Sequence, residues 1–73
     1  ATYDVVFADP PYSKGYSQAV LELVAQYRLL SPRGVMIIEH FYKEEVSEKV
    51  GDIRRSRVKN YGQTMMSYYL RGE

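Results

Sequence analysis

Tyr3-Asp4-Val5-Val6-Phe7-Ala8-Asp9-Pro10-Pro11-Tyr12 is the stretch that sets the fold and points to the chemistry. Val5 to Ala8 form a nearly continuous apolar run rather than an alternating one. Such a run suits a parallel strand covered on both faces, central in its sheet. It ends in a carboxylate, two prolines and an aromatic ring. Open α/β sheets build their ligand sites at the carboxyl ends of strands. Each proline fixes φ near about −65° and lacks an N–H, so the turn is rigid and the carbonyls of Asp9 and Pro10 stay out of any helix. A flat base with an exocyclic amino group would donate one hydrogen bond to the Asp9 carboxylate and another to the Pro10 carbonyl while stacking on Tyr12. A turn of this kind prepares a nitrogen for alkylation.

Outward from this turn, Tyr16, Ala19, Val20, Leu23, Val24, Tyr27 and Leu30 recur at three- and four-residue steps, the pattern of an amphipathic helix. Ser31-Pro32-Arg33-Gly34 stops it, because a residue before proline avoids the helical region and glycine permits reversal. Val35 to Glu39 then read as a second strand. Strand, helix and strand joined by short connections predict a right-handed βαβ unit with parallel strands. The charged stretch 42–50 fits either a short surface helix or an irregular loop. Ile53 to Tyr61 and Thr64 to Arg71 read as two extended segments meeting at Asn60-Tyr61-Gly62-Gln63, a hairpin that would add an antiparallel pair to a parallel sheet. Met65, Met66, Tyr68, Tyr69 and Leu70 are apolar at adjacent positions, as a central strand requires.

Length and composition bound the rest. Seventy-three residues allow one small domain with a modest core. With no cysteine and one histidine, neither a disulfide nor a zinc site can brace it, and the composition is consistent with a reducing cytoplasm. No run approaches the roughly 20 apolar residues of a membrane span, and the first residues lack the layout of a signal peptide, so no membrane role is expected. A chain that starts directly on an apparent strand reads as a piece of a larger domain. The strand edge that such a piece leaves open would favour self-association.

Other residues take candidate roles around the turn. Tyr12 would stack on a base, a contact that contributes about 1–3 kcal/mol, although a tyrosine there can also simply cap the helix that follows. Ser13 and Lys14 form the lip of the turn. Lys14 would reach a phosphate if it is not merely solvated. His40, with Glu39 beside it, ends the second strand on the same sheet edge as Asp9, where a substrate-facing role competes with a structural one. From Asp52 to Arg71 there are five basic residues and one acidic one, with Arg54, Arg55, Arg57 and Lys59 on the first hairpin strand. Arg55 and Arg57 are candidates for a nucleic-acid backbone, against the alternative of a charged edge strand that prevents aggregation. A net charge of +1 carries no strong nucleic-acid signature by itself.

Asp9-Pro10-Pro11-Tyr12 after a hydrophobic strand resembles the fourth motif of class I S-adenosylmethionine-dependent amino-methyltransferases. Together with Gly34-Val35-Met36-Ile37-Ile38-Glu39-His40, Lys59-Asn60-Tyr61-Gly62-Gln63-Thr64 and Ser67-Tyr68-Tyr69 in this order, it resembles the RsmD-type family of 16S ribosomal RNA guanine-N2 methyltransferases. The resemblance runs over nearly the whole chain and covers that family's carboxyl-terminal half. It implies a Rossmann-like α/β fold and a catalytic turn of Asp9, Pro10, Pro11 and Tyr12. It also implies S-adenosylmethionine as cofactor, touched only at its edge by Asp9 and Pro10, and ribosomal RNA or an assembling small subunit as partner. The family's glycine-rich loop and ribose-binding acidic residue have no counterpart in these 73 residues. A DNA adenine-N6 methyltransferase would use the same four residues, and a non-catalytic oligomerising module is the alternative outside enzymes.

Overall fold

The computed structural model describes residues 2–9 and 15–72. Five strands and one helix follow in the order β1 (Tyr3–Ala8), α1 (Tyr16–Gln26), β2 (Leu30–Phe41), β3 (Lys49–Val50), β4 (Ile53–Tyr61) and β5 (Thr64–Arg71). They form one sheet of order β1-β2-β5-β4-β3, with β1 and β2 parallel and the other neighbours antiparallel. This is the α/β arrangement expected from the sequence: a βαβ unit closed by a terminal hairpin. Gly62, at φ 70°, and Gln63 make the two-residue connection of that hairpin between the paired Tyr61 and Thr64. A glycine with positive φ at the first turn position matches the twist of the strands it joins.

Helix α1 lies on one face of the sheet. There Leu21, Val24, Leu30, Met36, Ile38, Ile53 and Tyr69 form the core, with Val6 and Ala8 packed against it. Each fully buried aliphatic side chain contributes about 1.5–3 kcal/mol by leaving water. The buried stripe of α1 is Ser17, Leu21 and Val24, whereas Tyr16, Leu23 and Tyr27, three members of the expected apolar face, are exposed. The helix carries two apolar stripes, and long-range bonds choose between them. Ser47 N–H donates to Gln18 Oε1 at 2.8 Å, Gln18 Nε2 donates to Ser47 Oγ at 2.9 Å, and Ser17 N–H donates to a Glu44 oxygen at 3.4 Å. These turn the 17/21/24 stripe inward.

The helix also ends earlier than the apolar spacing implied. Leu29 N–H bonds to Val24 O and Arg28 N–H to Ala25 O, with Arg28 at φ 52°. That is a Schellman cap with arginine at the position glycine usually takes. Leu30 is therefore a buried strand residue, and Ser31-Pro32-Arg33-Gly34 belongs to β2 instead of forming a separate turn. The four residues instead bulge from the ladder: β2 advances from Leu30 to Val35 while β1 advances only from Tyr3 to Val5. Gly34 sits where a Cβ would lie 2.8 Å from the Leu30 side chain and 3.0 Å from the Asp4 carbonyl. The Ser31 hydroxyl fastens the bulge by donating to Asp4 at 2.8 Å.

A further departure concerns β1. It edges the described sheet instead of taking a central place, and Val5 and Phe7 are 62% and 55% exposed. The cause is one-sided coverage. Val6 and Ala8 face the helix, whereas Val5 and Phe7 share the opposite face with their partners Val35 and Ile37, and no described helix covers that face. Residues 42–50 form no helix. They make an irregular connection ending in the short strand β3.

Candidate active site at the carboxyl ends of β1 and β2

Asp9 lies one residue beyond Ala8, which pairs with Ile38, so it leaves the sheet beside Glu39 and His40. It is exposed. The hairpin tip arrives at the same edge, where His40 pairs with Met65, Phe41 pairs with Thr64 and Tyr42 N–H donates to Gln63 O. A parallel pair and an antiparallel hairpin thus place Asp9, Glu39 and the 61–64 tip at one end of the sheet. Pro10, Pro11, Tyr12, Ser13 and Lys14 lie outside the described residues.

His40 takes a structural role. It is 3% exposed, its Nδ1 lies 3.1 Å from the Phe41 carbonyl and its Nε2 lies 2.8 Å from Ser67 Oγ. Since a carbonyl only accepts, Nδ1 carries the proton and Nε2 accepts from the Ser67 hydroxyl. Both ring nitrogens are engaged within the protein, leaving neither to serve a substrate as a base.

Arg55 and Arg57, two apart in sequence, would share a strand face in a regular ladder. The ladder breaks between them: Arg55 pairs with Tyr69 and Arg57 with the adjacent Tyr68. The bulge separates them. Arg55 turns to the helix side and meets Glu48 at 3.5 Å. Arg57 turns to the uncovered face with its guanidinium 5.0 Å from the centre of the Tyr68 ring.

One acidic side chain at this edge gave no signal in the sequence, where it is lost in a charged run. Glu44 receives the α1 N-terminal amide of Ser17, a favourable place for a carboxylate because Gly15 offers no side-chain cap. Its Oε1 and the Ser17 hydroxyl are buried without a hydrogen-bond partner among the described residues. An unpaired buried polar atom costs about 1–3 kcal/mol, so such atoms mark a place where a further donor would be accepted. Glu44, Glu45, Tyr42 and Met65 line a cavity of about 290 Å³ there.

Comparison with known proteins fits this geometry. Residues 1–70 match the family model described as Conserved hypothetical protein 95. The chain belongs to this family, the RsmD family. A relative from Bacillus subtilis (strain 168), named "Putative rRNA methyltransferase YlbH", is 36% identical over 64 residues, which are 88% of this chain and 35% of that protein. A Streptococcus pyogenes structure described as a conserved hypothetical protein is 28% identical with a TM-score of 0.83, covering 99% of this chain and 44% of its own. The Haemophilus influenzae "putative methylase HI0767" shares the fold at a TM-score of 0.84 and 21% identity, over 97% of this chain and 44% of its own.

The chain thus spans a third to under half the length of the proteins it matches. Among the described residues no group of three or more His, Cys, Asp or Glu side chains is placed to hold a metal ion, and no helix is long and apolar enough to cross a membrane.

Proposed function

We propose that this chain carries the target-base side of an S-adenosylmethionine-dependent methyltransferase that modifies the exocyclic N2 of guanine in small-subunit ribosomal RNA. The observation that carries the reading is the position of Asp9, exposed one residue past the parallel β1–β2 ladder in a chain of the RsmD family. The name of the Bacillus subtilis relative supports ribosomal RNA over DNA. Such a substrate places the protein in the cytoplasm.

The cofactor supplies a methyl group on a positively charged sulfur. The exposed ring of Phe7, two residues before Asp9, suits an apolar body, with Asp9 and Pro10 touching only the cofactor's edge. In the transfer, Asp9 accepts a hydrogen bond from the amino group and holds the nitrogen lone pair toward the methyl carbon. The amino nitrogen would gain positive charge as it takes the methyl group that the cofactor supplies. The Asp9 charge stabilises that positive nitrogen, which then sheds a proton to solvent. Tyr12 would stack on the base, with Ser13 and Lys14 as further substrate contacts and Pro10 and Pro11 completing the catalytic motif. Arg57 contacts the RNA backbone from the uncovered face, and Arg55, paired with Glu48, contributes from the helix side.

The test is product analysis. An enzyme containing this chain, given methyl-labelled cofactor and small-subunit ribosomal RNA or assembling subunits, should yield N2-methylguanine by nucleoside mass spectrometry. Recovery of N6-methyladenine from duplex DNA, with RNA untouched, would replace this reading with the DNA-directed one. A second expected result concerns the 73 residues alone. They should bind S-adenosylmethionine too weakly for calorimetry at micromolar concentration, since Asp9 and Pro10 reach only its edge. Micromolar affinity would mean that the cofactor site is built from other residues. The unpaired β1 edge, with Val5 and Phe7 exposed, also favours self-association of these residues in isolation.

A further inference from the structure

The end of the sheet opposite Asp9 is basic. The starts of β2 and β4, the end of β5, strand β3 and the cap of α1 bring Arg28, Arg33, Lys49, Arg54 and Arg71 there, against Asp4 and Asp52. Asp4 is already engaged by the Ser31 hydroxyl. Between the α1 cap, the β3–β4 turn and the end of β5 lies an open groove of about 650 Å³, lined among others by Arg28, Pro32, Gly51, Asp52 and Arg71.

Two guanidinium groups converge there on a single carboxylate oxygen, Asp52 Oδ2, from Arg71 Nε at 3.0 Å and Arg28 Nη2 at 3.7 Å. Arg71 is fixed further by Nη1 donating to the Leu30 carbonyl at 3.1 Å and is 19% exposed. Its fork is held in place before any ligand arrives. One carboxylate cannot neutralise two guanidinium groups, so the groove keeps a net positive charge.

Arg28 adds an independent sign. At φ 52° it occupies the left-handed region, which glycine enters freely and side-chain-bearing residues enter at a cost. Its side chain is 67% exposed, so packing does not offset that cost, and an exposed ion pair with Asp52 contributes little. The left-handed position closes the Schellman cap, which glycine would do at less cost, so an arginine there is not demanded by the fold.

We propose that this groove binds phosphate groups of an RNA backbone. The inference rests on the RNA reading above and extends it to a second contact remote from the target base. Guanidinium forks match phosphate oxygens in geometry and charge. Lys49 and Arg54 line an adjoining hollow that shares Gly51, Asp52 and Gly72 with the groove, and this extended positive surface suits a polyanion rather than a single small anion. Along β2 the groove lies about 20 Å from the Asp9 edge, counting Gly34 to His40 at the usual strand rise of about 3.3 Å. The contact therefore anchors RNA without touching the reacting nucleotide.

The two substitutions that test this separate binding from folding. Arg28→Gly relieves the left-handed strain, so it should leave the melting temperature unchanged or raised. It should also weaken binding of a fluorescein-labelled structured fragment of 16S ribosomal RNA several-fold by anisotropy. The slope of log affinity against log salt should become shallower by about 0.7–0.9 for one lost phosphate contact. Arg28→Lys should restore most of the binding. Asp52→Asn, which keeps an acceptor for Arg71 but removes the negative charge, should bind the RNA more tightly than the parent. Unchanged affinity and salt slope in Arg28→Gly would overturn the proposal. So would displacement of the RNA by low-millimolar inorganic phosphate, which would assign the groove to the free anion. Because binding rather than methyl transfer is read, a failure of the proposed reaction would leave this result separately interpretable.

Discussion

Asp9→Ala is expected to reduce methyl transfer by roughly 10²–10³-fold, the usual cost of deleting one group that stabilises developing charge in a transition state. Cofactor affinity should stay nearly unchanged. The side chain lost is the one that orients the nucleophile, and the structure leaves it exposed at the strand end, away from the packed core. Its removal should therefore cost rate rather than fold. Asp9→Asn should fall between, because the amide oxygen still accepts a hydrogen bond while the charge opposing the positive nitrogen is gone. Single-turnover kinetics with saturating RNA, alongside calorimetry for the cofactor, separate these terms. Full turnover in Asp9→Ala would remove this carboxylate from the mechanism.

Where local pattern and tertiary demand agreed, the fold was legible. The run Val5 to Ala8 was legible as a strand, though not its place at the sheet's edge, and with the strand through Met36 and Ile38 and the glycine of the hairpin turn it led to the parallel pair and antiparallel hairpin. Reading failed where two patterns competed. Helix α1 carries one stripe through Tyr16, Leu23 and Tyr27 and another through Ser17, Leu21 and Val24. The bonds that choose the second come from Glu44 and Ser47, 27 and 29 residues downstream of their partners. No local window contains them. The helix end was hidden for a related reason: an arginine stands where a Schellman cap usually shows glycine, so Leu30 looked like the next helical residue.

The candidate site shows the same division. The place of Asp9 at a strand's carboxyl end was legible because an apolar run before it and two prolines after it mark where the strand stops. The separation of Arg55 from Arg57 was invisible, since one inserted residue, Ser56, reverses which face each arginine takes, and no glycine or proline marks the bulge. His40 was ambiguous until Ser67, on a strand 27 residues away, supplied its partner. A position that follows one strand end can be read from sequence. Chemistry assembled across strands needs the register.

Tyr69 is expected to be the residue whose loss costs most in stability. It is fully buried in the core, and its hydroxyl donates to the Ser47 carbonyl at 2.7 Å, tying the central strand to the irregular 42–50 connection. Truncating a buried aromatic ring to alanine costs about 3–5 kcal/mol, comparable to the whole stability of a domain this small. Tyr69→Ala should therefore be largely unfolded by circular dichroism. Tyr69→Phe keeps the ring and strands only the Ser47 carbonyl, so it should fold with a loss of about 1–3 kcal/mol. The two also differ in pH response. Burial raises the Tyr69 hydroxyl above its ordinary value of 10.0, a push that the neighbouring Arg55 opposes only in part. In the unfolded chain the phenol loses its proton near 10.0, while in the folded protein it holds the proton to higher pH. The unfolded state then binds fewer protons, so stability is complete below pH 10 and declines as pH rises above it. Chemical denaturation across that range should show a steeper alkaline decline in the parent than in Tyr69→Phe. Equal slopes would mean that Tyr69 ionises as readily in the folded state as in the unfolded one, which a buried phenol bonded to Ser47 does not allow.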